Sequence, residues 1–488
     1  MIATKTGIAA ALALLAALVV PGMASAGVAE DVAAKALELD MVWVAVATIL
    51  VFLMQAGFMF LEIGFSRMKN AGTGVAKIFM NLAVVTIAWW VMGAAISGPG
   101  NDFIGEYGFF YHFGQDIAGT AVTSDAAMLM LFGLAFCAVS LAIVWGTTLE
   151  RIKFSAYVIY GLVFGALIYP IVAHSVWGGG LLSDVGGRPV MDFAGSSVVH
   201  LTGAVGGLSA LLLLGARKGK YGADGSPRAI PGHSMPLVGL GVIILWVGWF
   251  GFNGGSTFAT EGAFFGEAML NTQLAAAAGV IGASVLVYYK TKKLDVGMAG
   301  NGAIAGLVGI TAGAGFVEFW AAPLIGFVAG LVVVYGVLAI EKHLDDPIGA
   351  LSAHGLAGVW GTIAVGLFAS PRLIVDGAAP GVWYGLFGND AGFSFGSTFG
   401  QLGVQALAVA ATFVVVFALS YATFGAIKAT IGIRVSEEEE DAGLDIASHG
   451  MYGYPEAFIP QPEYPTGNYT PSMAGTPVAP VEPATDRA

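Results

Sequence analysis

The sequence predicts an all-α polytopic membrane protein with eleven transmembrane helices. Of its 488 residues, 57% are hydrophobic and only 11% are charged, and the mean hydropathy of +0.80 is above that of ordinary soluble domains. Eleven apolar stretches are long enough to cross a bilayer. Helices in lipid associate through close packing, which small residues permit, and the chain carries 72 glycines.

The first 26 residues have the pattern of a secretory signal peptide. Lys5 precedes the apolar run GIAAALALLAALVV, and Pro21 and the small residues ASA at 24–26 follow it. A membrane anchor is the alternative, but the run is shorter than the ~20 residues that a spanning helix needs. We therefore predict cleavage after Ala26 and a mature amino terminus outside the cytoplasm.

If the mature amino terminus lies outside the cytoplasm, eleven spans place the carboxyl terminus inside it. The predicted spans cover residues 42–64, 75–97, 126–149, 155–177, 192–215, 233–254, 267–290, 296–313, 319–340, 348–372 and 397–430. Lys and Arg concentrate in cytoplasmic loops, which tests the topology independently. The predicted inner loops carry Arg67, Lys69, Arg151, Lys153, Arg217, Lys218, Lys220, Arg228, Lys290, Lys292, Lys293 and Lys342. The predicted outer loops carry only Arg188 and Arg372, which supports this topology in a bacterial inner membrane.

The chain divides into four predicted segments. They are a cleaved signal peptide (1–26), a membrane domain (27–433), a cytoplasmic regulatory tail (434–450) and a disordered proline-rich extension (451–488). The tail, RVSEEEEDAGLDIASHG, is acidic, and a solvated cap on the last helix is the alternative to a regulatory role. The net charge of −12 argues against binding to nucleic acid.

Two of the seven histidines lie deep within predicted spans, His200 in the fifth and His354 in the tenth. These spans are equivalent if the first ten form two inverted five-helix halves, with an eleventh helix added. Such a repeat predicts a site near the bilayer midplane. The alternative for each histidine is a neutral imidazole satisfied by one structural partner. Two imidazoles without a third ligand do not make a zinc site, so no metal is predicted.

Asp192 opens the fifth span in DFAGSSVVH, eight residues before His200. Its carboxylate is expected to accept hydrogen bonds from the backbone N–H groups of residues 195 or 196 as an N-cap. Eight helical residues span ~12 Å, which is too long for direct contact with the imidazole. Asp192 therefore lies nearer the predicted outer face, where its negative charge favours a cation.

Aromatic side chains share this outer level of the predicted bundle. They are Phe132 and Phe136 in the third span, Trp177 at the end of the fourth, and Trp249 and Phe252 in the sixth. Such residues can pack in the core, form an aromatic belt at the membrane interface, or line a cavity. In a cavity they would attract a small cation by about 2 kcal/mol or more when desolvated. Ser256 could then accept one N–H bond from that cation.

Few other residues suggest chemistry. Glu62 lies near the cytoplasmic end of the first span, and pairing with Arg67 or Lys69 is the expectation, with a transport role as the alternative. The lone cysteine, Cys137, excludes disulfides within the chain. The sequence lacks a phosphate-binding loop, an HExxH motif and a nucleophile elbow, so neither an enzyme nor a cofactor is predicted.

Taken together, these motifs resemble those of the ammonium transporter family (Amt/Mep/Rh) over residues 42–450. The segments that carry the resemblance are DFAGSSVVHLTGAVGGL, VWGGGLL, LERIKFSA, WFGFNGGS, NGAIAGLVGIT, DDP followed by HG, and GIRV with GLDIASHG, in family order. The resemblance implies uptake of ammonium and methylammonium by a homotrimer in the lipid bilayer with one pore per subunit. It also implies a PII-type nitrogen regulatory protein as a partner of the tail.

The resemblance assigns roles to residues of this chain. Phe136, Trp177 and Ser256 would form the recruitment site, supported by Asp192. Phe136 and Phe252 would be the stacked rings of a gate, and His200 and His354, with Trp249, would line the pore below it. An ammonium sensor that signals through its tail is the alternative function.

Three features depart from a common family form. Thr311 is followed by Ala312 rather than by proline, and Gly349 stands where that form has an aspartate five residues before the second pore histidine. Short-tailed members also lack a counterpart of the extension at 451–488.

Overall fold

The computed structural model describes residues 3–106, 108–110, 116–117, 120–121, 124–388 and 394–458, with the backbone alone for residues 3–30, 116–117, 120–121, 124, 397, 456 and 458. The long helices are α1 (Ala3–Phe65), α2 (Met68–Ser97), α3 (Asp125–Thr147), α4 (Phe154–Trp177), α5 (Ser196–Leu214), α6 (Met235–Gly254), α7 (Glu261–Thr291), α8 (Val296–Thr311), α9 (Ala321–Ile340), α10 (Leu351–Phe368) and α12 (Phe395–Thr430). Shorter helices are α11 (Val382–Phe387), α13 (Glu437–Ala442), α14 (Leu444–His449) and α15 (Pro455–Phe458). A two-residue antiparallel pairing joins β1 (Asp116–Ile117) to β2 (Thr120–Ala121).

Two predicted segments fall partly or wholly outside this description. The side chains of the predicted signal peptide, residues 1–26, are not among the described ones, so its cleavage stays a prediction. The predicted extension begins at residue 451, and the described part of it ends with α15. Residues 459–488 lie outside the described ranges.

Ten helices of the described chain are long and apolar enough to cross a membrane, which agrees with a multi-pass membrane protein. The eighth predicted span, 296–313, is shorter than expected, because α8 has 16 residues and ends at Thr311. A turn follows at once, in which Gly313 N–H donates to Ile310 O (2.8 Å) and Phe316 N–H donates to Gly313 O (2.9 Å). At ~1.5 Å per residue, α8 is ~24 Å long, so residues beyond it must complete any crossing.

Glycines bring α7, α8 and α9 into backbone contact. A Cβ atom added at Gly306 of α8 would lie 2.4 Å from Ala275 O of α7, and one at Gly326 of α9 would lie 2.0 Å from the same oxygen. At Gly279 of α7, an added Cβ would lie 2.3 Å from Gly302 O. No larger residue fits at these positions, because the helix backbones are already in contact. Small residues permit such a close approach between membrane helices.

The bundle has two ends, which we call the tail face and the mouth face. At the tail face, residues 434–454 pack on the loops that contain Lys69 and Lys218. The mouth face holds the opposite ends of the helices, with Trp177 and the outer loop 98–105. Basic residues therefore cluster at the end of the bundle that the topology predicts to be cytoplasmic.

A buried ionic cluster closes the tail face. Arg217 donates to both carboxylate oxygens of Asp345, each at 2.9 Å, and Arg151 lies 3.8 Å from the same carboxylate. Burial raises the pKa of Asp345, but the hydrogen bonds and charges of the two arginines outweigh it and lower the pKa to about 2. The carboxylate therefore stays ionised and joins the loops after α3, α5 and α9.

Candidate functional site

Three aromatic rings meet at the mouth face. Phe136 comes from α3, Trp177 ends α4, and Phe252 lies in a π-helical turn of α6, Phe250–Gly254. The Trp177 ring stands edge-on to Phe136, with centroids 6.3 Å apart and an interplanar angle of 76°. Trp177 is 42% exposed whereas Phe136 is 3% exposed, so the pair marks a step from the surface to the interior.

Phe136 and Phe252 are stacked face to face beneath this surface. Their centroids are 4.0 Å apart and the planes differ by 16°. Both rings are buried, and Phe132 supports Phe136 from one turn earlier on α3 at 4.5 Å. The stacked rings that the family resemblance assigned to a gate thus do form one layer.

Ser256 lies one turn after Phe252. Its hydroxyl donates to Phe252 O at 2.8 Å, and the side chain is almost buried, with 9% exposed. Because the hydroxyl proton is used within the helix, the oxygen keeps lone pairs that can accept an N–H group.

His200 lies next to the stacked Phe136 and Phe252 rings, and His354 lies next to His200. The His200 ring is 5.5 Å from Phe252, and the two imidazoles are 5.3 Å apart with an angle of 20° between their planes. Their Nδ1 atoms are 3.3 Å apart. Two neutral imidazoles can share one hydrogen at this contact, in which case one outward Nε2 donates and the other accepts. The pair therefore presents both a donor and an acceptor to a small polar molecule.

Trp249 forms one wall beside the histidines. Its ring is stacked 5.1 Å from His200, and its Nε1–H donates to Thr311 Oγ1 at 2.9 Å. The Thr311 hydroxyl donates in turn to Leu307 O at 2.7 Å. Thr311 is thus a supporting residue to which sequence reasoning gave no role, since it named Thr311 only as the neighbour of Ala312, where the departure from the family form lies.

Asp192 organises the turn that carries His200. Its Oδ1 accepts from the N–H groups of Gly195 and Ser196, both at 2.8 Å, and its Oδ2 accepts from Ser197 and Val198. The predicted N-cap bonds at 195 and 196 are both present, and two more accompany them. They hold the π-helical turn Ser196–Leu201 that begins α5. Such turns often occur at functional sites because they redirect a side chain.

The second half of the chain repeats this arrangement at Asp346, which sequence reasoning missed. Asp346 precedes His354 by eight residues, as Asp192 precedes His200, and accepts from the N–H groups of Ala350 (3.1 Å) and Leu351 (2.7 Å). His354 also lies in a π-helical turn, Leu351–Leu356. The equal Asp–His spacing in DFAGSSVVH and DPIGALSAH was the signal that could have found it.

Gly349 is required by the backbone of this second turn. Its φ of +76° lies in the left-handed region that favours glycine. The departure from the family form at this position therefore has a local conformational cause, and the carboxylate that caps α10 is supplied three residues earlier.

The prediction for Glu62 is wrong. Arg67 donates instead to Glu150, from its backbone N–H and from its Nε, each at 2.6 Å. The Lys69 Nζ binds the carbonyl oxygens of Glu440 and Asp441 in the tail. Glu62 is fully buried, and the nearest charge of opposite sign is that of Lys77 on α2.

The predicted tail lies against the membrane domain. The Asp445 carboxylate accepts from the N–H groups of Gly72 (2.9 Å) and Thr73 (2.8 Å) near the start of α2, and from the Thr73 hydroxyl. Glu440 binds Arg434 at 2.7 Å. Ser436 and Glu439 form a capping box that begins α13.

In the described part of the chain, no group of three or more His, Cys, Asp or Glu residues is placed to hold a metal ion. The fold and the site together define a multi-pass membrane protein in which two paired imidazoles lie buried beside stacked aromatic rings. Sequence comparison identifies the family: the model of the Ammonium Transporter Family matches residues 42–454, and the chain belongs to this family.

Curated relatives and solved structures agree with the family assignment. Ammonium transporter Amt2 of Archaeoglobus fulgidus is 42% identical over 440 residues, which cover 88% of this chain and 91% of the relative. The ammonium transporter of Bacillus subtilis is 35% identical, over 86% of this chain and 99% of the relative. A solved structure named Sensor Amt Protein is 32% identical, with a TM-score of 0.77, over 85% of this chain and 99% of that one. Mep2 of Candida albicans is 27% identical, with a TM-score of 0.71, over 82% of this chain and 87% of that one.

Proposed function

We propose that this protein takes up ammonium across the cytoplasmic membrane by recruiting NH4+ at the mouth face and passing NH3 along the two histidines. The carrying observation is the vertical order of the site: a half-exposed indole, two stacked phenyl rings, and two imidazoles joined Nδ1 to Nδ1 at 3.3 Å. Each layer suits one step of moving a small cation that can lose its charge.

Recruitment rests on the Phe136 and Trp177 rings and on the Ser256 oxygen. Aromatic faces attract a desolvated cation by about 2 kcal/mol or more, and Ser256 accepts one of its N–H groups. Asp192 supports recruitment indirectly. Its carboxylate is satisfied by four backbone N–H groups, so it contributes negative charge and holds the turn rather than binding the ion directly.

Selectivity follows from the cost of moving a charge past the stacked rings. An intact cation in an apolar passage loses its hydration, and the charged form is penalised. Ammonium can give up a proton and continue as NH3, whereas potassium cannot. The paired histidines then offer a donor and an acceptor, either to NH3 or to the released proton.

The proposed topology places the mouth face outside and the tail face in the cytoplasm. It is supported by the basic residues at the tail face and requires α8 to cross as the eighth of eleven spans, completed by the turn after Thr311. A homotrimer with one pore per subunit and a PII-type partner for residues 434–450 complete the proposal.

A sensor is the second candidate, because the chain is also similar to the Sensor Amt Protein. In that case ammonium would bind at the same mouth, and tail contacts such as those of Asp445 would carry the signal. The two functions differ in flux: a transporter passes ammonium, whereas a pure sensor binds it without passing it.

Currents and labelled methylammonium uptake in proteoliposomes test the proposal. Wild-type protein should pass ammonium, and His200→Ala should reduce flux or weaken selectivity over potassium, while Asp192→Ala should reduce flux by disordering the turn. The matched control His343→Gln, in an exposed loop after α9, should behave as wild type. Wild-type protein that binds ammonium and passes none would favour the sensor. A His200→Ala variant with wild-type flux and wild-type selectivity for ammonium over potassium would exclude the imidazole mechanism.

A further inference from the structure

His174 lies buried at the mouth end of α4 with both ring nitrogens facing carbonyl oxygens. Nδ1 is 2.8 Å from Gly98 O and Nε2 is 2.7 Å from Asn101 O. A backbone carbonyl oxygen only accepts hydrogen bonds, and a neutral imidazole has a single N–H donor. Both contacts are hydrogen bonds only if both ring nitrogens carry a proton.

Two helix ends favour a cation at this position. His174 is in the last turn of α4, and Gly98 caps the final turn of α2, Ala94–Ser97. The carboxyl end of a helix carries partial negative charge and carbonyl groups without helical partners. The ends of α2 and α4 therefore direct their negative poles towards the same ring.

The glycine run that follows α4 leaves the space for this clamp. A Cβ added at Gly178 would lie 2.6 Å from the His174 Nδ1 and 2.5 Å from Ser97 O. One added at Gly180 would lie 2.9 Å from the His174 Cδ2. Gly179 has a φ of +89°, which turns the chain between them. The packing around His174 thus accounts for Gly178 and Gly180, and the left-handed backbone accounts for Gly179.

Among the described side chains, no carboxylate replaces the carbonyl oxygens as a partner of the ring. The titratable groups on the segments packed against it are Asp102 and Glu106 of the outer loop, Asp184 after the glycine run and Asp192 before α5. The first three are exposed, and the Asp192 carboxylate accepts from backbone N–H groups. The contacts of His174 therefore depend on its own two protons.

We propose that His174 is a doubly protonated imidazolium that clamps the outer loop 98–105 to the end of α4 and so positions Trp177. The link to Trp177 is short. The His174 carbonyl oxygen accepts from Gly178 N–H (2.9 Å) and Gly180 N–H (3.0 Å), which fixes the turn after the indole. The Trp177 Nε1–H then donates to Asp192 O at 2.8 Å.

Loss of one ring proton opens the clamp. A deprotonated nitrogen would face a carbonyl oxygen with two lone pairs opposed, so one of the two contacts must separate. Released from the ring, the loop would also lose the bond from Leu181 N–H to Asp102 O, now 3.0 Å long. His174 is thus a positioning residue for the recruitment site. This positioning role rests on the proposed function, whereas the protonation state of the ring is independent of it.

Nitrogen NMR of ¹⁵N-histidine-labelled full-length protein tests the protonation state. The His174 signals are assigned by their loss in His174→Gln, and imidazolium nitrogens resonate close together whereas those of a neutral ring lie far apart. We expect the imidazolium signature together with hydrogen-exchange protection of the Leu181 amide, whose N–H binds Asp102 O. Neutral-ring signals from a protein with that amide still protected would overturn the proposal.

Uptake measurements test the positioning role. His174→Gln should raise the apparent KM for external methylammonium by about threefold and leave the maximal rate unchanged, because the pore below the gate is intact. Gly178→Ala, which inserts a methyl group against the ring, should shift KM the same way, and His343→Gln should not.

The outcomes separate the two proposals. A wild-type KM in both His174→Gln and Gly178→Ala would exclude the positioning role. Wild-type protein without any uptake would contradict the proposed transport function while leaving the NMR result to decide the imidazolium.

Discussion

At the scale of single residues, two buried polar contacts order the side chains of the proposed pore. His200 and His354 share one Nδ1 contact, and Trp249 beside them binds the Thr311 hydroxyl. Each of these side chains is buried, so an atom left without a partner carries the full cost of its desolvation. Their positions are therefore set by hydrogen bonding as much as by packing.

Replacement of Thr311 tests this dependence. Thr311→Val keeps the shape but leaves the Trp249 Nε1–H buried and unpaired, which should destabilise the protein by about 1–3 kcal/mol. Since the Trp249 ring is stacked on His200, we also expect slower ammonium uptake. Thermal unfolding in detergent and proteoliposome flux measure the two effects. Thr311→Ser retains the hydroxyl and serves as the control; equal stability of the Val and Ser variants would show that the bond contributes nothing.

At the scale of elements, the same device begins both histidine helices. An aspartate eight residues before each histidine accepts backbone N–H groups and holds a π-helical turn, in α5 through Asp192 and in α10 through Asp346. The two caps differ in their surroundings, because Asp346 belongs to the tail face and stands next to the ionised Asp345.

Asp346 gives the second cap a pH dependence. Burial raises its pKa from the ordinary 3.8 to about 6, although the N–H groups of Leu351 and Ala350 oppose the rise. Between these two pH values the folded protein binds more protons at Asp346 than the unfolded chain does, so stability should fall as the pH rises from about 4 to about 6. Unfolding of wild type and Asp346→Asn across this range measures the effect. Parallel curves for the two proteins would refute it.

The contact of α7 with α9 makes a second prediction at this scale. Gly326→Val would place side-chain atoms against Ala275 O, where an added Cβ alone would lie 2.0 Å away, and should cost about 3 kcal/mol or more. Gly425→Ala in α12 is the control, because an added Cβ there meets no atom within 4 Å. Alanine also favours the helix by ~1 kcal/mol over glycine. Thermal unfolding of both variants measures the difference, and equal stability would contradict backbone contact.

At the scale of the whole molecule, the tail connects distant loops. Asp445 binds Gly72 and Thr73, more than 370 positions earlier in the chain, and also Gly453 N–H at 3.0 Å. Other tail groups bind Lys69 and Lys218. The tail face is therefore made from residues of the membrane domain and of the tail together.

Removal of the Asp445 carboxylate should free the tail. Asp445→Ala deletes four hydrogen bonds to a buried carboxyl group, and we expect docking of residues 436–454 to weaken by about 3 kcal/mol. Hydrogen–deuterium exchange of the tail measures this directly. Asp441→Ala, which removes an exposed pair with Lys218, should change exchange little. Similar exchange in both variants would show that Asp445 is not the anchor.

Much of the fold was predictable because the length and the apolar composition of a segment identify a spanning helix. The ten full-length helices lie close to predicted spans, and the Asp192 cap followed from residue types next to each other in the chain. The early end of α8 was not predictable, because it depends on a turn at Gly313 rather than on hydropathy. The Glu62 prediction was wrong because Arg67 found a stronger partner, Glu150, 83 residues away.

The sequence by itself determined the class of protein, the order of its apolar helices and the family, since these depend on composition and on short-range patterns. Only the tertiary structure decided that His200 and His354 meet Nδ1 to Nδ1, that Phe136 stacks on Phe252, and that Asp445 anchors the tail. The physical reason is that each of these contacts joins residues more than 100 positions apart. Such distances are set by how the helices pack, which no local pattern encodes.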